Sequence, residues 1–200
     1  MAPKSDVSEE RKHQILEAAK QAFSKRGIHK TRMSDIAESS GLSKGALYWY
    51  FDSKDAIILA LLDKVFEPEI QELEALLDDP CSTEEKLMKY AERSGQDIID
   101  MLRWMPLVYD FFALAFRQQA IKEAITQYYR KNLNLLESLI QQGVASGEFE
   151  TDSPVDAAIT MGSVIEGTVM LWLYDPESID IIQHIKSNIR LLLNGLRARA

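Results

Sequence analysis

Apolar residues recur along nearly the whole chain at spacings of three and four, the period of helices that bury one side, and no alternating strand pattern competes with them. Ser8 with Glu9 and Glu10 opens a first helix striped by Ile15, Ala18, Ala19, Ala22 and Phe23, and Gly27 stops it. The seven residues before it are expected to fray. Met33, Ile36 and Ala37 predict a short helix over about Met33 to Ser40. Gly41 allows the positive φ of a sharp turn that Leu42 anchors, and Ser43 caps a second short helix over Lys44 to Phe51. Leu47 and Phe51 face inward there.

Beyond Ser53, a cap, the stripe of Ile58, Leu61, Leu62, Val65, Phe66, Ile70, Leu73 and Leu77 predicts a long connecting helix, with a kink or break near Lys64 to Phe66 caused by Pro68. Ser82 and Glu85 read as a capping box for a helix through about Arg103, ended by Pro106. A long helix runs from Ile121 to Val144 and closes at Gly143 or Gly147. Ser153, Pro154 and Asp156 then start a helix to Leu173, and a last helix is capped at Ser178. The expectation is an all-α chain of about nine helices.

The helix from Pro154 is apolar on two sides. One face holds Val155, Ile159, Gly162, Val169 and Leu173, the other Ala157, Met161, Val164, Thr168 and Leu171, and two faces need two packing partners.

Two short helices joined by a glycine turn form a helix-turn-helix, whose second helix fits the DNA major groove. With Leu47 and Phe51 inward, the exposed Tyr48-Trp49-Tyr50 run of that helix calls for a partner. At these residues the chain resembles the TetR (tetracycline repressor) family of bacterial transcriptional regulators. The resemblance is carried by Gly27, Thr31, Asp35-Ile36-Ala37, Gly41-Leu42-Ser43-Lys44-Gly45, Leu47-Tyr48, Tyr50-Phe51 and Ser53-Lys54, within about Ser8 to Leu62. It departs at Arg32, where the family usually has a small hydroxyl residue; capping would then fall to Thr31 or Ser34.

The resemblance implies a three-helix DNA-binding domain over residues 1–54 and a helical effector-binding and dimerisation domain over residues 55–200. By resemblance and expected exposure, Thr31, Arg32, Tyr48, Tyr50 and Lys54 would position the protein on phosphates, with Ser34 beside them. Lys44, Gly45, Ala46 and Trp49 would lie nearest the bases. The function implied is a ligand-responsive regulator, in the family's common mode a repressor released from a palindromic operator by a small-molecule effector.

Charge changes the picture only when divided along the chain. The net charge of −8 is unexpected for a DNA-binding protein. Residues 1–55, however, hold ten Lys and Arg against eight Asp and Glu, a balance of +2 that leaves −10 on the remainder. The positive side chains cluster at Lys20, Lys25, Arg26, Lys30 and Arg32, and again at Lys44 and Lys54, and phosphates respond to local potential. A single cysteine, Cys81, allows no internal disulfide, and no Cys/His cluster has metal-ligand spacing. No apolar run approaches a membrane span, no signal-peptide core stands at the start, and a cytoplasmic compartment follows. With three histidines and no nucleophile, phosphate-loop or dinucleotide motif, neither an enzyme nor a cofactor is expected.

Met101, Trp104, Met105, Tyr109, Phe112 and Phe116 are dense in aromatic and thioether groups that suit either a core or an adaptable apolar cavity. Glu166 projects onto an apolar face beside Gly162, where a carboxylate needs a partner, a cationic ligand or a proton. The ligand-binding residues expected are therefore Met101, Trp104, Met105, Phe112, Phe116, Tyr128, Asn132, Glu166 and Met170, around a mainly apolar and possibly cationic effector. The competing reading pairs Glu166 with Arg103, Arg117 or Arg130, or buries it between subunits. A homodimer is expected through Ala157, Met161, Val164, Thr168 and Leu171, with Ile181 and Leu191.

Overall fold

The computed structural model describes residues 4–101 and 104–197, with side chains from residue 7. Among these residues the chain forms nine α-helices: α1 (Lys4–Arg26), α2 (Met33–Ser40), α3 (Lys44–Tyr50), α4 (Lys54–Asp78), α5 (Thr83–Met101), α6 (Met105–Ala115), α7 (Gln119–Ala145), α8 (Pro154–Tyr174) and α9 (Ile181–Leu196). The only β pairing among them is an isolated bridge between Phe149 and Arg197. Two compact units divide the helices, one of residues 1–66 and 103–127, the other of residues 67–102 and 128–200.

In the first unit α1 packs on α2 and α6, and α2 on α3. Ile15, Ala19, Phe23, Ile36, Leu47, Ile57 and Ile58 are almost wholly withdrawn from water and form its core. Gly27 and Gly41 take φ of 77° and 68°, so each helix before them ends in a left-handed residue that a side chain would strain. Ser43 accepts from the amide of Ala46 at 3.1 Å, and Ser53 from that of Ala56 at 3.1 Å, as capping requires.

In the second unit α9 packs against α5 and α8 through Ile181, Ile185, Ile189 and Leu193. The approach is close at Gly95, where an added Cβ would lie 3.2 Å from Ile182. Ser82 and Glu85 exchange the two hydrogen bonds of a capping box, both at 3.2 Å. Glu148 reaches the same helix start from the α7–α8 turn, its carboxylate accepting from the amides of Thr83 and Glu84 at 3.1 Å each.

Several sequence expectations change. Helix α1 begins at Lys4, ahead of Ser8, while residues 1–3 of the expected frayed end lie outside the described residues. Helix α4 runs unbroken through Pro68, which is exposed, because the proline costs one backbone donor whose loss water can offset. Pro106 lies in the first turn of α6, where its missing N–H has no helical partner to lose. The cap of α9 is Asp180, which accepts from the amide of Gln183 at 3.0 Å, and not Ser178. Finally, α8 has 21 residues and is long and apolar enough to cross a membrane by length and composition alone. Glu166 interrupts the run when it is read residue by residue, but not when it is averaged over a helix. Ala158, Met161, Ile165 and Val169 of this helix are buried.

Candidate functional site

The outward face of α3 is built around one buried residue. Leu47 is completely covered, and the helix presents Lys44, Gly45, Tyr48 and Trp49 to solvent, with Ala46 and Tyr50 half-buried at the margins. Trp49 is 74% exposed. It meets Tyr50 edge-on at 4.5 Å between ring centroids, which stiffens both rings without covering them. The Lys44 ammonium lies 6.0 Å from the Tyr48 ring centroid. A Cβ on Gly45 would meet nothing within 4 Å, so packing inside the chain does not require a glycine there.

At the start of α2, Arg32 is the N-cap, although its guanidinium can accept nothing. Capping falls instead to Asp35, whose carboxylate accepts from the Arg32 amide at 2.8 Å and pairs with Arg26 at 3.3 Å. This corrects the expectation that Thr31 or Ser34 would cap, and it leaves Arg32 and Ser34 exposed. Lys25, Arg26 and Lys30 stand in solvent nearby, while Lys20 turns onto the ring of Trp104, 4.1 Å from its centroid.

Two expected phosphate contacts prove internal. Thr31 is buried, and its hydroxyl donates to the carbonyls of Gly27 at 2.9 Å and Ala22 at 3.3 Å, serving the end of α1. Lys54 is half-buried and donates from its ammonium to the carbonyls of Ile28 at 2.8 Å and Thr31 at 3.2 Å. Both follow from the loop between α1 and α2, whose free carbonyls need donors close at hand.

The expected ligand set divides between the two units. Trp104, Met105, Phe112 and Phe116 belong to the first, and Met101, Tyr128, Asn132, Glu166 and Met170 to the second. Met105 is packed in the core, Phe112 stacks on Phe66 at 6.5 Å, and Phe116 stands 91% exposed. Glu166 is exposed and accepts from the Tyr129 hydroxyl at 3.1 Å. Surrounding protein raises its pKa, the Tyr129 bond opposes this, and the charge of Glu69 adds to the rise. Among the described residues no Lys or Arg pairs with it; Arg103 lies outside them.

Sequence reasoning missed Glu69. Its carboxylate accepts from Tyr90 at 2.6 Å, from the amide of Asn132 at 3.2 Å, and from the hydroxyl of Tyr128. Burial, the charge of Glu69 and the bond to it raise the pKa of both tyrosines. The signal was present in the sequence, since Glu69 shares the helical stripe of Leu62, Phe66, Leu73 and Leu76, as Glu166 shares that of α8.

The expected dimer face also changes. Ala157, Met161, Thr168 and Ile181 are buried inside the protomer, and Thr168 accepts from Asn188 at 3.0 Å. The apolar residues left open are Leu171 and Tyr174 on α8 and Leu191 on α9, at 61%, 81% and 68% exposure.

Comparison with known proteins agrees with this geometry. The family model described as bacterial regulatory proteins, tetR family, matches residues 15–61, and that of the tetracyclin repressor-like C-terminal domain matches residues 86–181. The chain is 28% identical to the HTH-type transcriptional regulator TtgR of Pseudomonas putida, over 96% of this chain and 94% of that protein. SmeT, described as the repressor of the Stenotrophomonas maltophilia multidrug efflux pump SmeDEF, superposes with a TM-score of 0.78 at 21% identity, covering 94% of this chain and 91% of that one. FadR of Bacillus subtilis, solved with stearoyl-CoA, gives 0.74 at 23% identity, with 92% and 99% covered.

Proposed function

This chain belongs to the TetR family of bacterial transcriptional regulators, which are DNA-binding proteins and not enzymes, and on that premise we propose that it is a cytoplasmic repressor released from a palindromic operator by a small-molecule effector. Residues 1–54 read the DNA, and residues 55–200 take the effector and pair two copies. The observation that carries this reading is α3, where a fully buried Leu47 holds Lys44, Gly45, Tyr48 and Trp49 outward on a helix of major-groove size. Arg32, Ser34 and Tyr50 flank that helix as phosphate contacts, while Thr31 and Lys54 hold the frame on which it stands.

A palindrome demands two reading heads. The open apolar residues Leu171, Tyr174 and Leu191, with Gly167 and Gly195 offering close approach, support a homodimer through α8 and α9. That ligand-bound relatives include a stearoyl-CoA complex of FadR and a triclosan complex of SmeT supports a ligand-responsive second domain. The test is fluorescence anisotropy of labelled DNA from upstream of the gene, with and without candidate ligands. Saturable, salt-sensitive binding to one palindrome that a ligand reverses is expected; equal affinity for scrambled DNA would remove the reading.

A further inference from the structure

The second unit holds a carboxylate that neutral groups serve and that no cation balances among the described residues. Glu69 is half-buried and accepts from two tyrosine hydroxyls and one amide, yet among the described residues no Lys, Arg or His nitrogen lies within ionic reach of it. Neutral donors satisfy lone pairs and leave the charge in place. A carboxylate has about four lone-pair directions, and here three are used.

A second observation bears on the same spot. Ser94, one helical turn beyond Tyr90 on α5, is 8% exposed, and its hydroxyl oxygen is buried without a hydrogen-bond partner. A buried hydroxyl left unserved costs about 1–3 kcal/mol, so a free lone pair here invites a donor from outside the chain. The Ser94 hydroxyl is near enough to that of Tyr90 to lower its pKa, so it stands beside the hydroxyl that donates to Glu69.

We propose that Glu69, Tyr90, Ser94, Tyr128 and Asn132 form the polar end of a binding site in the second unit that takes a ligand bearing a protonated amine. This deepens the effector-responsive reading and rests on it. An ammonium carries three donors and a positive charge, and the site offers the open lone pair of Glu69, the accepting capacity of the buried Ser94 oxygen and a negative charge that no cation among the described residues compensates. A carboxylate or phosphate ligand would meet repulsion instead. A metal ion would need more anionic ligands, and among the described residues no group of three or more His, Cys, Asp or Glu side chains is placed to hold one. Glu166, whose carboxyl feels the charge of Glu69, extends the negative potential without adding a direct contact.

The probe is 4-phenylbutylammonium, compared with neutral 4-phenylbutanol by isothermal titration calorimetry on the full chain. Wild type is expected to bind the ammonium at least about ten-fold more tightly than the alcohol, the worth of one charge-assisted hydrogen bond. Glu69→Gln should lose that preference and keep its affinity for the alcohol, whereas Glu166→Gln should retain most of it. Tyr128→Phe keeps the carboxylate and removes one competing donor, so it should bind the ammonium at least as tightly as wild type, and it serves as the second variant should Glu69→Gln not fold. Equal binding of the two probes, no binding of the ammonium, an undiminished preference in Glu69→Gln or weaker ammonium binding in Tyr128→Phe would each overturn the proposal. Operator binding in the same preparations separates this failure from that of the regulator reading, since DNA recognition by α3 does not need the amine site.

Discussion

The ammonium of Lys54 donates to the main-chain carbonyl of Thr31 across 3.2 Å, so two residues whose resemblance assigns them to phosphate hold each other inside the protein. Lys54 opens α4 and Thr31 closes the loop ahead of α2, and the bond ties the helix that leaves the DNA-binding unit to the one that enters the turn. Lys54→Ala should therefore act first on stability. A charge-assisted bond of this kind is worth about 1.5–3 kcal/mol, and the half-exposed setting of Lys54 puts the expected loss near the lower end. Thermal unfolding should show the loss. The salt slope of operator binding should stay unchanged, where a lost phosphate contact would lower it by about one.

Gly45→Ala separates fold from recognition. Nothing in the chain opposes the new methyl group, and alanine is favoured over glycine in a helix by about 0.5–1 kcal/mol, so the variant should be as stable as wild type or more so. Operator affinity should fall, because on the proposed reading the methyl group would stand where α3 meets the bases. Lys44→Ala should weaken binding and also reduce the salt slope by about one. Anisotropy titrations at several salt concentrations read both effects.

The Glu148 carboxyl carries a pH-dependent share of stability. Burial acts to raise its pKa, but the amides of Thr83 and Glu84 and the hydroxyl of Ser146 outweigh it, and the result lies below the ordinary 4.5. A depressed carboxyl stabilises the fold fully above that ordinary value, and the contribution disappears as pH falls through the folded-state value. Glu148→Gln should cost about 1 kcal/mol at neutral pH, as for a lost helix cap, and its stability should fall less steeply with acid than that of wild type. Urea unfolding at pH 7 and pH 3 measures the difference.

Gly143→Ala should be among the most damaging single-methyl changes in the second unit. The added Cβ would overlap the ring of Phe149, which is 3% exposed. Overpacking of this kind costs about 1–3 kcal/mol, and a lowered melting temperature should report it.

Leu191→Asp should leave the protomer folded, since the side chain is 68% exposed, and should halve the mass seen by light scattering. Operator affinity should fall with it, because on the proposed reading a single reading head would meet only half of a palindrome. An unchanged dimer mass would move the interface elsewhere.

The helices, their glycine stops and most of their caps were legible in the sequence because these are local matters: a period of three or four, a hydroxyl before a helix, a left-handed residue after it. The outward face of α3 was legible for the same reason, since placing Leu47 inward leaves few directions for its neighbours. What the sequence left open depends on which carbonyl or which helix lies opposite. Thr31 and Lys54 carry groups that suit phosphate, and only the fold shows that loop carbonyls reach them first. Ala157, Met161 and Thr168 form an apolar face that either α9 of the same chain or a second copy could cover, and period alone cannot distinguish the two. Glu69 and Glu166 sit alike on apolar stripes; the difference between them comes from Tyr90, Tyr128 and Asn132, which lie 21, 59 and 63 residues from Glu69 in sequence and meet it only when α4, α5 and α7 pack.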